Sequence, residues 1–393
     1  MKNYKPYQLV LILLPFVFSF ALGLDIYIPV IPQMAQIFDT SPSMIHLTLS
    51  LFLFVTGAGQ LFLGPLSDQF GRKNIFYFSS ICYAAGAGWS VFCPHIFWLI
   101  LARILTSVGA CGMLVTSFAL VRDLYSEEES GKMFSYLNGA IGISPTFAPI
   151  IGGHLAVCAG WQSIFVFLVL IGIISIGITK YFIKETLPPD KRVKINGSVF
   201  KRYLTIVQNR QFLTYSLISG CGESVFFCFF SLSPFIIINL HGVPTEQFGY
   251  YFSVFGAVIG LGGFAAGKVI EKLGINTTLA IGMMFMFIGG LSMLGWYMVA
   301  VTLQGFLIPM AVACTGAMFV IGGCAAKALE PFGRIAGTAA AAFGAIEFGL
   351  SALVGSLLML FSTESTVPYG VFIVILACCA FLLFRRDMFL KKI

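Results

Sequence analysis

The sequence predicts an all-helical membrane protein with twelve transmembrane helices in two pseudo-symmetric six-helix bundles, both termini being cytoplasmic. Three observations carry this prediction: an apolar composition, a one-sided distribution of basic residues and an internal repeat. Hydrophobic residues make up 58% of the chain and charged residues only 10%, whereas the surface of a soluble domain needs considerably more charge. The apolar segments are too long and uniform for barrel strands, so we expect helices, which satisfy their own backbone hydrogen bonds in lipid.

The apolar segments divide into twelve candidate spans. Each span needs roughly 20 residues, so twelve spans leave only short loops and one linker within 393 residues. The first segment follows Lys2 and Lys5, but it is longer than the apolar part of a signal peptide and lacks a convincing cleavage site, so we interpret it as a span. The predicted spans cover residues 8–37, 46–66, 75–93, 97–120, 134–156, 163–182, 212–239, 247–268, 276–298, 302–325, 336–360 and 367–385.

The basic residues indicate which side of the membrane each loop occupies. Of the 23 Lys and Arg residues, all but Arg103 fall on one predicted side, and the predicted loops of the opposite side contain none. By the positive-inside rule, the side that carries the basic residues is cytoplasmic. The net charge of +7 therefore follows from membrane orientation, and it does not indicate a nucleic-acid partner.

One polar stretch divides the chain six spans to six. Residues 185–210 include Pro188 and Pro189, and their composition is typical of a cytoplasmic linker. They separate a predicted N-terminal bundle, residues 1–184, from a predicted C-terminal bundle, residues 211–393.

The turns after spans 2 and 8 support this division, because they resemble each other. A glycine, an acidic residue and a second glycine recur at the same spacing, about half the chain apart. The first set is Gly64, Asp68 and Gly71, and the second is Gly267, Glu271 and Gly274. Such a repeat indicates two related six-span units.

The first of these turns belongs to a longer motif, Gly-Pro-Leu-Ser-Asp-Gln-Phe-Gly-Arg-Lys at residues 64–73. Gly64 allows helices to approach closely, and Gly71 permits a tight turn. The motif resembles the G-x-L-(S/A)-D-x-x-G-R-(R/K) pattern of the major facilitator superfamily. This resemblance implies the major facilitator fold and secondary transport by alternating access.

We expect the motif residues Gly64, Asp68, Gly71 and Arg72 to act in conformational switching. Asp68 lies at a cytoplasmic helix end, where a carboxylate can meet an arginine or a helix N-terminus. Its expected partner is Arg122, with the start of span 11 near Gly337 as the alternative. These contacts would favour an outward-open state.

More narrowly, the chain resembles the drug:proton antiporters of the bicyclomycin-resistance (Bcr/CflA) family over nearly its whole length. The resemblance implies proton-driven export of drug-like molecules or small metabolites across the bacterial inner membrane, and hence antibiotic resistance. The matching segments are Asp25–Pro32 in span 1, Arg122–Tyr125 after span 4, Ala148–Gly153 in span 5, Gly160–Phe165 and Glu185–Leu187 around span 6, and Ala336–Ala339 in span 11.

Three positions depart from this family pattern. The span 5 motif G-P-x-x-G-G keeps Pro149, Gly152 and Gly153 but has Ala148 in place of its first glycine. In span 4 the pattern R-x-x-Q-(G/A) ends in Thr-Ser, and Glu347 replaces an uncharged polar residue in span 11.

Four ionisable residues lie deep within predicted spans: Asp25, Arg103, Glu223 and Glu347. Each costs roughly 2.5–3.5 kcal/mol to insert, so we expect them to face a wet central cavity. Asp25 is the expected proton carrier and Arg103 the residue that tunes it. The alternative is a purely structural ion pair between Asp25 and Arg103 that locks spans 1 and 4 together.

Glu223 and Glu347 are surplus to that role, and with Tyr27 and Phe226 they are the expected lining of the substrate cavity. Carboxylates beside aromatic rings favour cationic or amine-bearing substrates. Two alternatives remain open: one glutamate reaches Arg103 as a gate between the halves, or both stay protonated and hydrogen-bond to neighbouring helices.

The leading functional prediction is export by proton antiport; the alternatives are proton-coupled uptake and export of an endogenous metabolite such as a metallophore. A membrane enzyme or passive channel is not indicated, because the sequence has no metal cluster, no nucleophile–base arrangement and no polar stripe along one helix.

The segment at residues 262–268 fits G-x-x-x-x-G-K, but it lacks the final Ser/Thr and lies in a span, so nucleotide binding is rejected. We expect a functional monomer without metal or cofactor, whose partners are the substrate, protons and lipid.

Overall fold

The computed structural model describes residues 5–187, 192 and 197–390, and within that part the elements are all helices. Ten of these helices are long and apolar enough to cross a membrane. One of the ten, Thr245–Val299, consists of two helices that meet at Gly274, where φ is 77° and ψ 164°. Together with Arg72–Val91, which is less apolar, they make the predicted twelve spans, so the fold class is confirmed.

The spans follow each other in the predicted order. Span 1 is Pro6–Asp25, continued by a 3-10 turn, Ile28–Val30, and a short helix, Ile31–Ile37. The others are Pro42–Phe70, Arg72–Val91, Ile96–Leu124, Glu127–Ala159, Gln162–Tyr181, Arg210–Pro234 with a π-helical extension Phe235–Leu240, Thr245–Val299 (spans 8 and 9), Leu303–Leu329, Ala336–Leu358 and Val367–Leu390.

Several helices extend beyond the apolar limits predicted for them. Span 5 was expected from residue 134, but it begins at Glu127. Ser126 accepts a hydrogen bond from the backbone N–H of Glu129, whose side chain accepts one from the backbone N–H of Ser126. Such a capping box stabilises a polar first turn outside the hydrocarbon region, where hydropathy gives no signal.

Span 1 is interrupted directly after Asp25. Pro29 and Pro32 have no backbone N–H, so they cannot donate to the carbonyls of Asp25 and Ile28 as a continuous helix would require. The chain passes through a 3-10 turn before it resumes as helix. Asp25 is therefore the last residue of a helix inside the protein, and it is only 3% exposed.

The two predicted bundles meet along two seams, span 2 against span 11 and span 5 against span 8. Glycines permit the close approach: a side chain at Gly249 or Gly256 would overlap the span 5 backbone at Ile150 or Thr146. The division into bundles of residues 1–184 and 211–393 remains a prediction.

On the side opposite the basic residues, both seams are closed. Ser43 of span 2 donates a hydrogen bond to the backbone carbonyl of Met359, just after span 11. On the other seam, Gly153 lies against the backbone carbonyl of Thr245. The described structure is therefore closed towards the outside.

The predicted linker is only partly described, since residues 188–191 and 193–196 lie outside the described residues. Gly197–Gln208 forms a helix that packs against spans 7 and 11. Its Ile206 is fully buried. Burial raises the pKa of Tyr203 in this helix to about 12, and the nearby charge of Asp68 adds to the effect. The linker is thus partly a helix seated at the cytoplasmic end.

Candidate functional site

Asp25 binds a neutral partner from another helix. Its Oδ2 accepts a hydrogen bond of 2.9 Å from the hydroxyl of Ser144 on span 5. Ser144 is fully buried, and it lies directly before Pro145, which interrupts the hydrogen-bond ladder of span 5. The hydroxyl therefore joins the expected proton carrier to a helix that contacts the other bundle.

Arg103 is fully buried on span 4 but forms no ion pair within the described residues. One guanidinium nitrogen donates a 2.6 Å hydrogen bond to the carbonyl of Gly23. Gly23 lies in the last turn of the first helix, where carbonyls lack helical partners. The guanidinium lies 4.5 Å from the ring centroid of Phe52 and 5.2 Å from that of Tyr27. Among the residues that the structure describes, its Nε and Nη1 atoms have no hydrogen-bond partner.

The expected ion pair between Asp25 and Arg103 is therefore wrong for this conformation. The aromatic faces and a backbone carbonyl stabilise the arginine charge, and Ser144 donates a hydrogen bond to the Asp25 carboxylate. The roles proposed for the two residues do not depend on a permanent pair, and they remain predictions.

Glu223 and Glu347 do come together in the C-terminal bundle, as an acidic pair. Each lies close enough to the other for their charges to repel. Glu347 accepts a 2.6 Å hydrogen bond from Ser219 and is 9% exposed, while Glu223 is more accessible. Of the four ionisable residues expected to face a wet cavity, Glu223 has the greatest exposure in this conformation.

A stack of aromatic rings lies between the acidic pair and Arg103. Phe348, next to Glu347, stacks on Phe20 at 5.7 Å, and Phe20 stacks on Phe52 at 6.4 Å. Neither glutamate reaches Arg103 within the described residues, so a gating ion pair is not formed in this state.

The two expected aromatic cavity residues are both buried. Tyr27 has no exposed surface, and its hydroxyl forms a 3.1 Å hydrogen bond with that of Thr48. Phe226 is 5% exposed. In this state Tyr27 supports Arg103 and does not line open space.

At the cytoplasmic end, Arg72 connects two carboxylates. It forms ion pairs of 2.7 Å with Asp68 and 2.8 Å with Asp123, and it also donates to the hydroxyl of Ser67. Gly71 makes this possible, because its φ of 93° turns the chain so that span 3 begins against the end of span 2. Glu185, at the end of span 6, accepts from the backbone N–H of Arg72.

The expected contact of Asp68 with Arg122 is thus wrong, since Asp68 pairs with Arg72. Arg122 instead occupies the alternative place: a side chain at Gly337 would meet its guanidinium. Arg122 therefore joins the N-terminal bundle to the start of span 11. At Gly64, also assigned to switching, an added side chain would meet only Val115 among the described residues, at 3.7 Å.

The span 5 motif lies between span 1 and span 8. A side chain at Gly152 would overlap the carbonyl of Ile26, and one at Gly153 would press on the carbonyl of Thr245. Pro149 interrupts the helix between these contacts and Ser144. The motif therefore places a helix with an interrupted hydrogen-bond ladder in contact with span 1 and span 8.

Asp68→Asn is expected to shift the protein towards an inward-open state, because the charge of Asp68 lies near Tyr203 in the linker helix, which packs against span 11 at the cytoplasmic end. In the variant Arg72 also keeps only Asp123 as a carboxylate partner. The pair is partly exposed, so its loss is worth about 1 kcal/mol at most and changes the ratio of states about fivefold. Distances between spin labels at Phe70 and Leu273, two exposed cytoplasmic positions, measure this shift.

The matched control is Glu271→Gln, at the equivalent position of the second repeat. Glu271 is exposed and forms no ion pair within the described residues. An unchanged distance distribution in Asp68→Asn would contradict the switching role.

Sequence reasoning missed His46. It is fully buried on span 2, with Nδ1 3.0 Å from the hydroxyl of Ser50 and Nε2 2.5 Å from that of Ser231 on span 7. The signal was present, since a histidine within an apolar span is itself unusual.

Taken together, twelve spans, an interrupted first span with a buried carboxyl, and ionisable side chains within the spans indicate a membrane transporter. Residues 13–356 match the family model of the Major Facilitator Superfamily. The chain belongs to this superfamily, so it is a multi-pass membrane transporter and not an enzyme, and the predicted superfamily resemblance is confirmed. The family implies a small-molecule substrate.

The relatives include bacterial resistance proteins. The chain is 28% identical over 354 residues to the bicyclomycin resistance protein homolog of Haemophilus influenzae, covering 88% of this chain and 87% of the relative. It is 30% identical over 378 residues to the chloramphenicol resistance protein of Pseudomonas aeruginosa, covering 94% of this chain and 88% of the relative.

Solved structures agree on the fold. A bacterial homolog of the human lysosomal transporter Spinster matches with a TM-score of 0.75 and 16% identity over 98% of both chains. The xylose transporter XylE of E. coli matches with a TM-score of 0.75 and 14% identity, covering 98% of this chain and 97% of that one. At these identities the likeness concerns the fold alone.

Proposed function

We propose that this chain is a proton-driven exporter of drug-like molecules in the bacterial inner membrane, of the bicyclomycin-resistance (Bcr/CflA) type. The observation that carries the proposal is Asp25, a buried carboxyl at the interruption of span 1 whose described partner is a neutral hydroxyl. An ionised carboxyl costs roughly 2.5–3.5 kcal/mol in such a place, and uptake of a proton removes that cost. This is the property that a proton carrier needs.

Ser144 connects the protonation state of Asp25 to the contact between the bundles. A hydrogen bond to an ionised carboxylate is about twice as strong as one to a neutral acid, so protonation of Asp25 weakens the link to span 5. Two residues further on, Thr146 lies against Gly256 of span 8. The protonation state of Asp25 can thereby bias the contact between the bundles and the choice of open side.

The acidic pair supports a preference for cationic or amine-bearing substrates. Glu223 is half-buried, while Glu347 is buried and held by Ser219, so the pair offers one positioned carboxyl and one that is less enclosed. The aromatic stack that begins at Phe348 lies next to it and supplies ring faces for a cation. Export, not uptake, is supported by the resistance functions in the names of the bacterial relatives.

Expression in a bacterium that lacks its own drug exporters tests the proposal. Cells that produce the protein should accumulate less of a cationic fluorescent dye and grow at higher concentrations of chloramphenicol or bicyclomycin. A protonophore should abolish the difference, and cells with Asp25→Asn should resemble those with an empty vector. Increased accumulation would contradict export and indicate uptake.

A further inference from the structure

His46 lies where the two bundles meet near the outer end of the protein. It is the fifth residue of the helix Pro42–Phe70, about 6 Å along the axis from the outer end. Its ring packs 5.5 Å from that of Phe227 on span 7 and close to Gly355 on span 11. We call His46, Ser50 and Ser231 the outer latch.

The hydrogen bonds of the latch determine which ring nitrogen carries the proton. Ser231 donates its single hydroxyl proton to the carbonyl of Phe227 at 2.6 Å. Its oxygen must therefore accept from His46, so Nε2 bears the proton. Nδ1 is then free to accept from Ser50, and a neutral imidazole satisfies every partner in the latch.

A charged ring would have no counter-charge in this place. Among the described residues, no charged group acts on His46. Spans 7 and 11 contact it through Phe227, Ser231 and Gly355, none of them titratable. On those helices the carboxyls nearest in sequence are Glu223 and Glu347, the latter eight residues from Gly355 and about 12 Å away along the axis.

Two further groups come from span 1, but neither faces the ring. The Tyr27 hydroxyl bonds to Thr48, two residues along span 2. The Asp25 carboxyl accepts its hydrogen bond from Ser144 on span 5. Burial of a charged imidazolium without a partner is costly, so the closed latch requires the neutral ring.

We propose that His46 is a second proton-binding site, which takes a proton from the outside when the latch opens and must release it before the latch closes. The closed state holds the neutral form, whereas an imidazole in water has a pKa of about 6.5. Acid therefore favours the open latch, and the closed latch regains its stability as the pH rises above this value. The inference rests on alternating access and not on export or on Asp25.

Distance measurements in lipid nanodiscs test it, because they need no substrate. Labels attached through noncanonical side chains at Phe92 and Val299, exposed at the outer ends of opposite bundles, report opening. The background is Asp25→Asn, which removes the proposed carrier of the coupling proton. If protons bind only to the open form with a pKa of about 6.5, the open-to-closed ratio rises about tenfold between pH 7.5 and 5.5.

Two variants separate the titration from the hydrogen bonds. His46→Gln keeps a donor for Ser231 and an acceptor for Ser50 but cannot titrate, so its ratio should not change with pH. Ser231→Ala removes the acceptor and should favour opening at both pH values while it keeps the pH response. An unresponsive Asp25→Asn protein, or an equal response in the Asp25→Asn/His46→Gln protein, would overturn the proposal.

Discussion

Asp25→Asn is expected to abolish transport driven by a pH gradient and to leave substrate exchange without a gradient largely intact. Asparagine fits the same space and can still accept from Ser144, but it cannot carry a proton. We expect gradient-driven transport to fall to the level of liposomes without protein, because Asp25 is the proposed carrier of the coupling proton, whereas His46 binds and releases its proton on the outer side. Substrate uptake into proteoliposomes, with and without a gradient, measures both quantities.

Ser144→Ala provides the matched control for this position. It keeps the carboxyl but removes the hydroxyl that stabilises its ionised form. Gradient-driven transport should fall, because protonation of Asp25 then no longer changes a hydrogen bond to span 5. The transport that remains should be half-maximal at a higher pH, because the carboxyl then binds its proton more readily. Ser144→Thr should restore the original profile. Full gradient-driven activity in Asp25→Asn would rule out Asp25 as the carrier.

Glu223→Gln and Glu347→Gln are expected to weaken transport of cationic substrates about tenfold or more while neutral substrates are spared. Loss of one charge–charge interaction in a site of low dielectric is worth about 1.4 kcal/mol or more. The effect should be larger for Glu223, whose carboxyl is the more accessible. Binding and transport of a cationic and a neutral compound of similar size, compared in each variant, measure the difference.

The alternatives give different results in the same experiment. If one glutamate pairs with Arg103 as a gate between the halves, transport of all substrates should fall equally. Two protonated glutamates that only support helix packing predict no change in affinity or rate. Glu271→Gln, which removes a charge at an exposed cytoplasmic position, controls for a general effect of the net charge.

The fold was predictable from the sequence because its signals are local. Length and hydropathy of each segment predict a span, and the sides occupied by Lys and Arg give the orientation. The helix ends were less predictable. Capping at Ser126 depends on polar residues outside the apolar core, and hydropathy does not register them.

The partners of the site residues were not predictable in the same way. Asp25 binds a hydroxyl 119 residues away, and His46 binds one 185 residues away. Such contacts depend on which helices lie side by side and how each is rotated, and apolar spans carry little periodicity that would reveal this. The choice of Ser144 over Arg103 as partner of Asp25 therefore needed the structure.

One local contact could have been found. Asp68 and Arg72 are four residues apart, the spacing at which opposite charges meet on a helix. The sequence pattern assigns Gly71 only a tight turn, and the backbone conformation of that turn brings Arg72 back to the end of span 2.

Exchange of protons for substrate is measured most directly with the purified protein in proteoliposomes that have an acidic interior. Antiport predicts that a cationic substrate enters and accumulates while protons leave, and that Asp25→Asn liposomes behave like those whose gradient has been collapsed. Accumulation only when the gradient is reversed, so that protons and substrate enter together, would contradict antiport and establish uptake by symport. Accumulation that is independent of the gradient would contradict proton coupling altogether.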